Sequence, residues 1–216
     1  MKMKVQIVVD NPLSWVIPKA KNLIAKINKI EGVEGIFKNN YEDIEEGDIL
    51  VLLSCEKIVS QEILKKNTHN LVIHASALPK GKGWSPLTWQ ILEGKNDIPV
   101  TLIEAVEKVD AGMIYDQIIV KFRGDELIEE LRNGIHQATE ELITNFIRSY
   151  PNVSGTAQIG DSTYYKRRKS SDSELNPHQT IAEQFNFLRT VDNEKYPAYF
   201  IFHGCKYSLI IKKISF

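Results

Sequence analysis

The sequence predicts an α/β fold: a mostly parallel sheet flanked by helices, followed by a small carboxyl-terminal extension made of one helix and a hairpin. Over residues 1–150, short apolar or β-branched runs alternate with amphipathic stretches. This alternation is typical of parallel strands that are buried on both faces. After residue 150 the pattern changes to glycine-punctuated and polar segments. We therefore expect a core domain at residues 1–150 and an extension, which is not a second full domain, at residues 151–216.

The first half of the core predicts strands and helices in alternation. A β-branched run at residues 5–9 predicts the first strand. Ser14 is the expected N-cap of an amphipathic helix that reaches about residue 29, with Pro18 in its first turn. The remaining elements of this half are strands at residues 35–38, 49–53 and 71–73 and a helix at residues 56–66.

The second half of the core begins with the expected ligand-binding loop. Residues 75–85 are rich in glycine, proline and lysine and directly follow a predicted strand. Open α/β sheets bind their ligands at the carboxyl ends of such strands. A short helix begins at Pro86 and is ended by Gly94. The later elements are strands at residues 99–105 and 114–122, a long helix at residues 126–149, a helix near residues 180–190 and a hairpin that turns at His203-Gly204.

The composition argues against several kinds of partner. The 27 basic and 28 acidic side chains give a formal net charge of −1, so no general attraction draws the protein to nucleic acid. Cys55 and Cys205 lie in no pattern typical of a metal or redox site, and we expect neither a metal nor a disulfide. The sequence shows no signal peptide and no apolar stretch long enough to cross a bilayer. It therefore predicts a cytoplasmic protein without a membrane partner.

Three motifs follow each other between residues 70 and 116. They are His74 at the end of an apolar run, Ser76-Ala77-Leu78-Pro79 with Gly83 behind it, and Asp110-Ala111-Gly112. A lone histidine after an apolar run is usually structural, and a lone Asp-Ala-Gly is an ordinary turn, but the combination in this order is specific. It resembles the formyltransferase family, whose signature is a strand ending in Asn-x-His, an SLLP-like loop with a following glycine, and a downstream Asp-x-Gly. The resemblance implies the formyltransferase fold with a Rossmann-like sheet, and N10-formyltetrahydrofolate as formyl donor without a metal.

The chemistry of formyl transfer explains these residue types. A primary amine attacks the formyl carbon, and the tetrahedral intermediate has a negatively charged oxygen beside a positively charged nitrogen. His74 can donate or accept through either ring nitrogen, and the carboxylate of Asp110 can fix its tautomer or take a proton from the amine. We therefore predict that His74 and Asp110 are the catalytic pair. Acid–base assistance contributes about 10²–10⁴ in rate and positioning about 7–11 kcal/mol, so positioning is expected to contribute more.

One position departs from the family pattern. Val72 stands where the family has its asparagine, two residues before the histidine, and valine has no side-chain donor for the oxyanion. Three groups remain as alternatives: a backbone N–H of the 75–83 loop, His74 itself, or a nearby polar side chain such as Asn70. The other interpretation is an inactive relative that binds a folate or a nucleotide sugar without catalysis.

The resemblance also implies where the folate binds. Its pterin is expected between the loop after His74 and the segment before Asp110. Backbone groups of residues 105–109 would form hydrogen bonds with the polar edge of the pterin. Such pockets are apolar with few polar anchors. The candidate folate-binding residues are Ser76, Leu78, Pro79, Gly83, Trp84, Ala105, Val106 and Val109.

The acceptor is expected to be a nucleotide-linked amino sugar. Methionyl-tRNA enzymes have a large basic carboxyl-terminal domain. Residues 151–216 are too few to form such a domain, and a net charge of −1 gives no general attraction to tRNA. Glycinamide ribonucleotide enzymes have a glycine-rich loop after the first strand, and residues 11–15 read NPLSW instead. Residues 69–102 and 185–200 resemble the sugar formyltransferases of pseudaminic-acid biosynthesis, which implies a UDP-linked 4-amino-4,6-dideoxy sugar. The candidate substrate-binding residues are Asn11, Ser14, Trp15, Lys80, Lys82 and Arg189.

A second enzyme hypothesis is a formyltetrahydrofolate hydrolase, in which water replaces the amine. Those enzymes usually have a regulatory domain before the core, and the sequence indicates none before Val5. The terminal hairpin offers an exposed strand edge, which predicts a homodimer.

Overall fold

The computed structural model describes residues 2–214. Its strands are Met3–Val8 (β1), Val33–Lys38 (β2), Gly47–Leu52 (β3), Asn67–His74 (β4), Lys82–Gly83 (β5), Asp97–Glu104 (β6), Ile114–Lys121 (β7), Tyr164–Tyr165 (β8), Ala198–Phe202 (β9) and Cys205–Leu209 (β10). Its α-helices are Ile17–Ile27 (α1), Gln61–Leu64 (α2), Pro86–Leu92 (α3), Ile128–Ser149 (α4) and Phe185–Leu188 (α5). None of them is both long and apolar enough to cross a membrane.

The main sheet has six strands in the order β2-β1-β3-β4-β6-β7. The first four are parallel to one another, whereas β6 is antiparallel to β4 and β7 is antiparallel to β6. The predicted mostly parallel α/β sheet is therefore confirmed. Because β1, β3 and β4 run in one direction, the loops that follow them meet at one edge of the sheet.

Both faces of the sheet are covered by apolar side chains. On one face, α1 and α4 pack against alternate residues of the strands and form the largest buried cluster. On the other face, Leu64 of α2 packs with Leu50 and Leu52. Ile91 of α3 packs with Ile98 and with Leu131 of α4 in a smaller cluster. These helices leave the carboxyl ends of the parallel strands free to form a site.

The first helix begins later than expected. Helix α1 begins at Ile17, its N-cap is Val16, and no side chain caps it. The N–H of Ser14 donates to Asn11 O at 3.0 Å and that of Ile17 donates to Ser14 O at 3.3 Å. Because these backbone bonds form successive turns before the helix, the prediction of Ser14 as N-cap is wrong, although Pro18 does lie in the first turn.

The helix predicted at residues 56–66 is reduced to the four residues of α2. The carboxylate of Asp10, two residues after β1, accepts the N–H groups of Glu56 at 2.9 Å and Lys57 at 2.8 Å. These bonds hold the start of the segment as a loop beside β1. Similarly, only α5 is α-helical within the stretch predicted near residues 180–190.

Two local predictions are confirmed. Helix α3 begins at Pro86, and Gly94 ends it with a φ of +82°. The terminal hairpin joins β9 to β10, and both turn residues, His203 and Gly204, have positive φ. Positive φ at both positions is the geometry of the tight hairpin turn that the sequence predicted.

Candidate functional site

His74 is the last residue of β4 and lies opposite Thr101 in β6. Its side chain is buried, with Nε2 2.8 Å from the carbonyl oxygen of Gly81 and Nδ1 3.6 Å from Oδ1 of Asp110. The structure thus brings together the histidine and the carboxylate, 36 residues apart, that the sequence proposed as a pair. When Nε2–H donates to Gly81, the other nitrogen can receive a proton beside the carboxylate.

Asp110 connects two loops of the site. Its second carboxylate oxygen accepts the N–H of Gly83 at 2.8 Å, so the same side chain faces both the histidine and the loop that follows it. The backbone of Asp110 has a φ of +53°, in the left-handed region that non-glycine residues rarely adopt. An unusual backbone here is therefore held by its surroundings, as is common at functional positions.

Two glycines of the motifs lie so close to backbone atoms of other segments that a side chain would not fit. A Cβ atom on Gly83 would lie 2.5 Å from the carbonyl oxygen of Tyr165. A Cβ atom on Gly112 would lie 1.7 Å from the carbonyl oxygen of Glu104. Both distances are below any non-bonded contact, so the turn that holds Asp110 and the loop that follows His74 need glycine.

The carboxyl-terminal extension completes the loop after His74. Strand β5 pairs in parallel with β8 of the extension. The N–H of Lys82 donates to Thr163 O at 2.9 Å, and that of Trp84 donates to Tyr165 O at 3.1 Å. Burial and a hydrogen bond to Glu93 raise the pKa of Tyr165 to about 12, so its hydroxyl remains a donor. The sequence did not predict this pairing, because neither two-residue strand has a recognisable pattern.

Val72 lies in an apolar environment at the position of the family asparagine. It packs against the cluster that contains Leu52 and Leu64. Asn70, the polar side chain considered as a substitute, donates its amide to Leu64 O at 2.9 Å. His74 follows Asn70 by four positions along the strand, which corresponds to about 13 Å. Asn70 is therefore excluded as a donor to an oxyanion formed beside His74.

Backbone N–H groups remain as oxyanion donors. Most backbone N–H groups of the 75–83 loop donate hydrogen bonds to oxygens of the loop, of the extension or of Asp110. The N–H groups of Ala75 and Ala77 make no hydrogen bond within residues 2–214. Both ring nitrogens of His74 already face protein oxygens. The two alanine N–H groups are thus the available donors of this loop.

The segment before Asp110 is where the sequence predicts the polar edge of the pterin. The N–H groups of residues 106–109 form no hydrogen bond in the described part of the chain, and Val106 and Val109 are exposed. Ala105 donates to Asn70 O at 2.6 Å, which fixes the start of the segment. The partly buried side chains of Cys55 and Val72 provide apolar surface beside it. Burial raises the pKa of the Cys55 thiol to about 11, so it remains neutral.

The other predicted folate-binding residues divide into two groups. Ser76, Leu78 and Pro79 are buried within their own loop, and the Ser76 hydroxyl donates to Lys80 O at 2.8 Å. We therefore assign these three to shaping the loop. Trp84, by contrast, is 37% exposed and lies under the guanidinium of Arg167, 4.2 Å from the ring centroid. It is thus available to a ligand at the surface.

The predicted substrate-binding residues of the first loop lie at the same edge of the sheet. Asn11 donates its amide to the carboxylate of Glu56 at 2.7 Å, and Arg167 reaches the same carboxylate at 2.9 Å. The ring of Trp15 lies within about 5 Å of two cations, with Arg132 4.9 Å from its centroid. Ser14 is half-buried and accepts the N–H of Val16 through its hydroxyl at 3.4 Å.

Lys80 and Lys82 differ in their surroundings. Lys80 is exposed. Lys82 is 4% exposed, and its ammonium group has no hydrogen bond or ion pair with any residue that the structure describes. Lysine is seldom buried without a partner. The Lys82 side chain is consequently suited to an anionic ligand group.

The prediction of Arg189 as a substrate-binding residue is not supported by its position. The side chain is 1% exposed, and its guanidinium donates to Asn96 and Asn186 and lies 3.6 Å from Glu126. Asn96 and Glu126 belong to the core, so their contacts with Arg189 attach the extension to it. Arg189 therefore has a structural role, and the sequence could not show this because two of its partners lie more than sixty residues away.

Several residues of the site were not expected from the sequence. Gln158 of the extension donates to the carbonyl oxygens of Asp110 and Gly112, and Glu56 connects Asn11 to Arg167. No motif surrounds either residue. Two cavities, of about 190 and 290 Å³, lie elsewhere, along α4, and neither is lined by His74 or Asp110.

Comparisons with known proteins agree with the motifs. Residues 37–147, just over half of the chain, match the model of the formyl transferase family. A methionyl-tRNA formyltransferase of Protochlamydia amoebophila is 26% identical over 151 residues, which cover 68% of this chain and 48% of that protein. The chain thus spans about half the length of this curated relative.

Solved structures share the fold at low sequence identity. A methionyl-tRNA formyltransferase from Clostridium thermocellum superposes with a TM-score of 0.80 at 20% identity, covering 94% of this chain and 90% of that one. A 4-N formyltransferase from Francisella tularensis has a TM-score of 0.75 at 20% identity, covering 98% and 99%. HypX from Aquifex aeolicus, solved with tetrahydrofolic acid, has a TM-score of 0.75 at 16% identity, covering 95% and 37%.

Proposed function

The chain belongs to the formyl transferase family, and from this we propose that it transfers a formyl group from N10-formyltetrahydrofolate to the amine of a nucleotide-linked 4-amino-4,6-dideoxy sugar, with UDP as the favoured nucleotide. The observation that supports this most is the buried pair of His74 and Asp110, 3.6 Å apart at the carboxyl end of β4. It lies beside a segment with free N–H groups, residues 106–109.

The roles of the residues follow from this geometry. The folate supplies an activated formyl carbon. The acceptor amine forms a bond to that carbon while the bond to N10 of the folate breaks, and the amine must lose a proton as N10 gains one. Nδ1 of His74 faces Asp110 and is the group we propose to move this proton. The N–H groups of Ala75 and Ala77 are the proposed donors to the oxyanion.

Three observations favour an amino-sugar acceptor. The 4-N formyltransferase from Francisella tularensis matches this chain over 98% of its length, which includes the extension. The side chain of Lys82 is mostly buried, and its ammonium group makes no hydrogen bond or ion pair within residues 2–214, so a diphosphate could pair with it. The formal net charge of −1 gives no general electrostatic attraction to a tRNA acceptor.

The test is a mass-resolved formyl transfer assay. The protein is incubated with N10-formyltetrahydrofolate and a panel of UDP- and dTDP-linked 4-amino sugars, with methionyl-tRNA and buffer alone in parallel. We expect a 4-amino sugar to gain the mass of one CO unit, as a formyl group replaces an amine hydrogen. Formylation of methionyl-tRNA alone would show that the acceptor is a tRNA and not a nucleotide sugar. Release of formate without an acceptor would indicate a hydrolase, and saturable folate binding without any transfer would indicate a binding protein.

Removing the charge of Lys82 is expected to weaken nucleotide-sugar binding. Lys82→Met should raise KM for the sugar about 10-fold or more, because a charge-assisted hydrogen bond to phosphate contributes about 1.5–3 kcal/mol, while KM for the folate stays within about twofold. The matched control is Lys29→Met, an exposed lysine that follows α1. Equal KM values in the Lys82 variant and the wild type would remove Lys82 from the sugar site.

Restoring the family asparagine is expected to bring no gain. Val72→Asn should leave kcat unchanged or lower and should cost about 1–3 kcal/mol of stability, because an amide would replace a side chain packed against Leu52 and Leu64. Initial rates and urea denaturation measure the two effects. A tenfold rise in kcat would show instead that the oxyanion lacks a donor in the natural protein.

A further inference from the structure

One segment of the extension contacts both loops of the catalytic pair. We call residues 155–165 the bridge segment. At its start, Thr156 and Ile114 exchange two backbone hydrogen bonds of 2.8 Å. At its end, Thr163 and Tyr165 accept N–H groups from the loop that follows His74. The bridge segment therefore runs from the start of β7, past the turn that contains Asp110, to the loop after His74.

Gln158 is the residue of the bridge segment that meets the Asp110 turn. Its side-chain nitrogen lies 3.0 Å from the carbonyl oxygen of Asp110 and 2.9 Å from that of Gly112. Two carbonyl acceptors require the NH₂ side of the amide, so the orientation of the group is defined. Its oxygen is buried and has no hydrogen-bond partner in the described chain. The side chain thus makes both of its bonds through one nitrogen, to the turn.

The Asp110 turn needs such external support. Asp110 has a φ of +53°, and two carbonyl groups of the turn point toward the same position, where their dipoles repel. A single NH₂ group placed between them compensates this repulsion. Loss of that group would free the backbone to rotate, and the carboxylate of Asp110 would move relative to His74 and to the N–H of Gly83.

We propose that Gln158 is a positioning residue for formyl transfer: it fixes the backbone of the Asp110 turn so that the carboxylate faces His74. The expected change in kcat rests on the proposed function, whereas the effect of Gln158 on the Asp110 turn does not depend on the substrate. The extension would then take part in catalysis from two sides, through Gln158 on the Asp110 turn and through Thr163 and Tyr165 on the loop after His74.

The test uses Gln158→Glu, which keeps the shape of the side chain and removes its N–H donors at neutral pH. We expect kcat to fall about 10- to 100-fold, because a misplacement of about 1 Å can cost 100-fold, while KM for both substrates changes less than about threefold. The matched control is Gln137→Glu, an exposed glutamine on α4. It makes the same charge change away from the site and should keep wild-type kinetics.

The pH dependence separates positioning from a general structural defect. As the pH falls, the introduced carboxyl group takes up a proton and can donate again, so the ratio of variant to wild-type kcat should rise toward acid pH. The control variant should show a flat ratio. A flat ratio for Gln158→Glu with wild-type kcat would overturn the proposal.

A second readout requires no substrate. The N–H of Gly83 donates to the Asp110 carboxylate, so its hydrogen exchange should become about tenfold faster in the variant while global stability is kept. If the wild type transfers no formyl group to any acceptor, this measurement still decides the positioning role. Should the new charge prevent folding, Gln158→Met, which is uncharged and of similar length, is measured in the same way. Unchanged exchange at Gly83 would refute the proposal.

Discussion

Asp110→Asn is expected to lower kcat for formyl transfer by about 10²–10⁴, the usual contribution of a general acid–base group. The amide oxygen can still accept the N–H of Gly83, which is now 2.8 Å from the carboxylate, so the loop should keep its position. What the variant loses is the negative charge 3.6 Å from Nδ1 of His74. Without that charge, a proton received by the imidazole is no longer stabilised.

Steady-state kinetics with saturating folate and sugar measure this loss, and KM for the folate should stay within about threefold of the wild type. His74→Ala should give a loss of the same order, because the two side chains act as one unit. The control is Asp116→Asn: Asp116 is an exposed carboxylate on β7 whose only side-chain hydrogen bond within residues 2–214 is to the neighbouring Gln117 N–H. Wild-type turnover in Asp110→Asn would exclude the pair from proton transfer.

Gly112→Ala is expected to destabilise the protein by at least about 3 kcal/mol, or to prevent folding. The added Cβ would lie 1.7 Å from the carbonyl oxygen of Glu104, so one of the two backbones must move. Glu104 cannot move freely, because its carboxylate accepts the N–H of Asn70 at 2.6 Å and the hydroxyl of Tyr115 at 2.7 Å. The turn that contains Asp110 should therefore be displaced.

Urea denaturation compares this variant with Gly160→Ala. Gly160 lies at the exposed part of the bridge segment with a φ of +107°, and no atom lies within 4 Å of the position that its added Cβ would take. This control contains the strain of alanine at positive φ, about 1–2 kcal/mol, without the collision. A loss of stability in Gly112→Ala no larger than in the control would contradict the steric requirement at this turn.

Strong local signals were sufficient for much of the fold. The apolar runs of β1, β3 and β4 predicted buried parallel strands, and the alternation of strands with helices predicted the sheet. Pro86 and Gly94 predicted the limits of α3, and His203-Gly204 predicted the turn of the terminal hairpin. Each of these features depends on residues close together in sequence, so the preference of the backbone is visible without tertiary contacts.

Distant partners explain the predictions that were wrong. The helix expected at residues 56–66 is mostly absent because Asp10, some forty-six residues earlier, binds the N–H groups of Glu56 and Lys57. Arg189 is buried in the protein, where it donates a hydrogen bond to Asn96, ninety-three residues away. Ser14 does not cap α1 because backbone turns precede the helix. Propensity rules describe local preferences, and here long-range hydrogen bonds outweigh them.

By itself, the sequence determined the fold class, and it predicted a site at the carboxyl ends of the strands with His74 and Asp110 as the catalytic pair, because motif order and strand patterning are properties of the chain. The tertiary structure decided which groups surround this pair. It excluded Asn70 as the oxyanion donor, left the N–H groups of Ala75 and Ala77 free within the described chain, and placed Gln158 against the Asp110 turn. Hydrogen bonds between segments far apart in sequence decide such contacts, and these bonds exist only after the sheet has brought the loops to one edge.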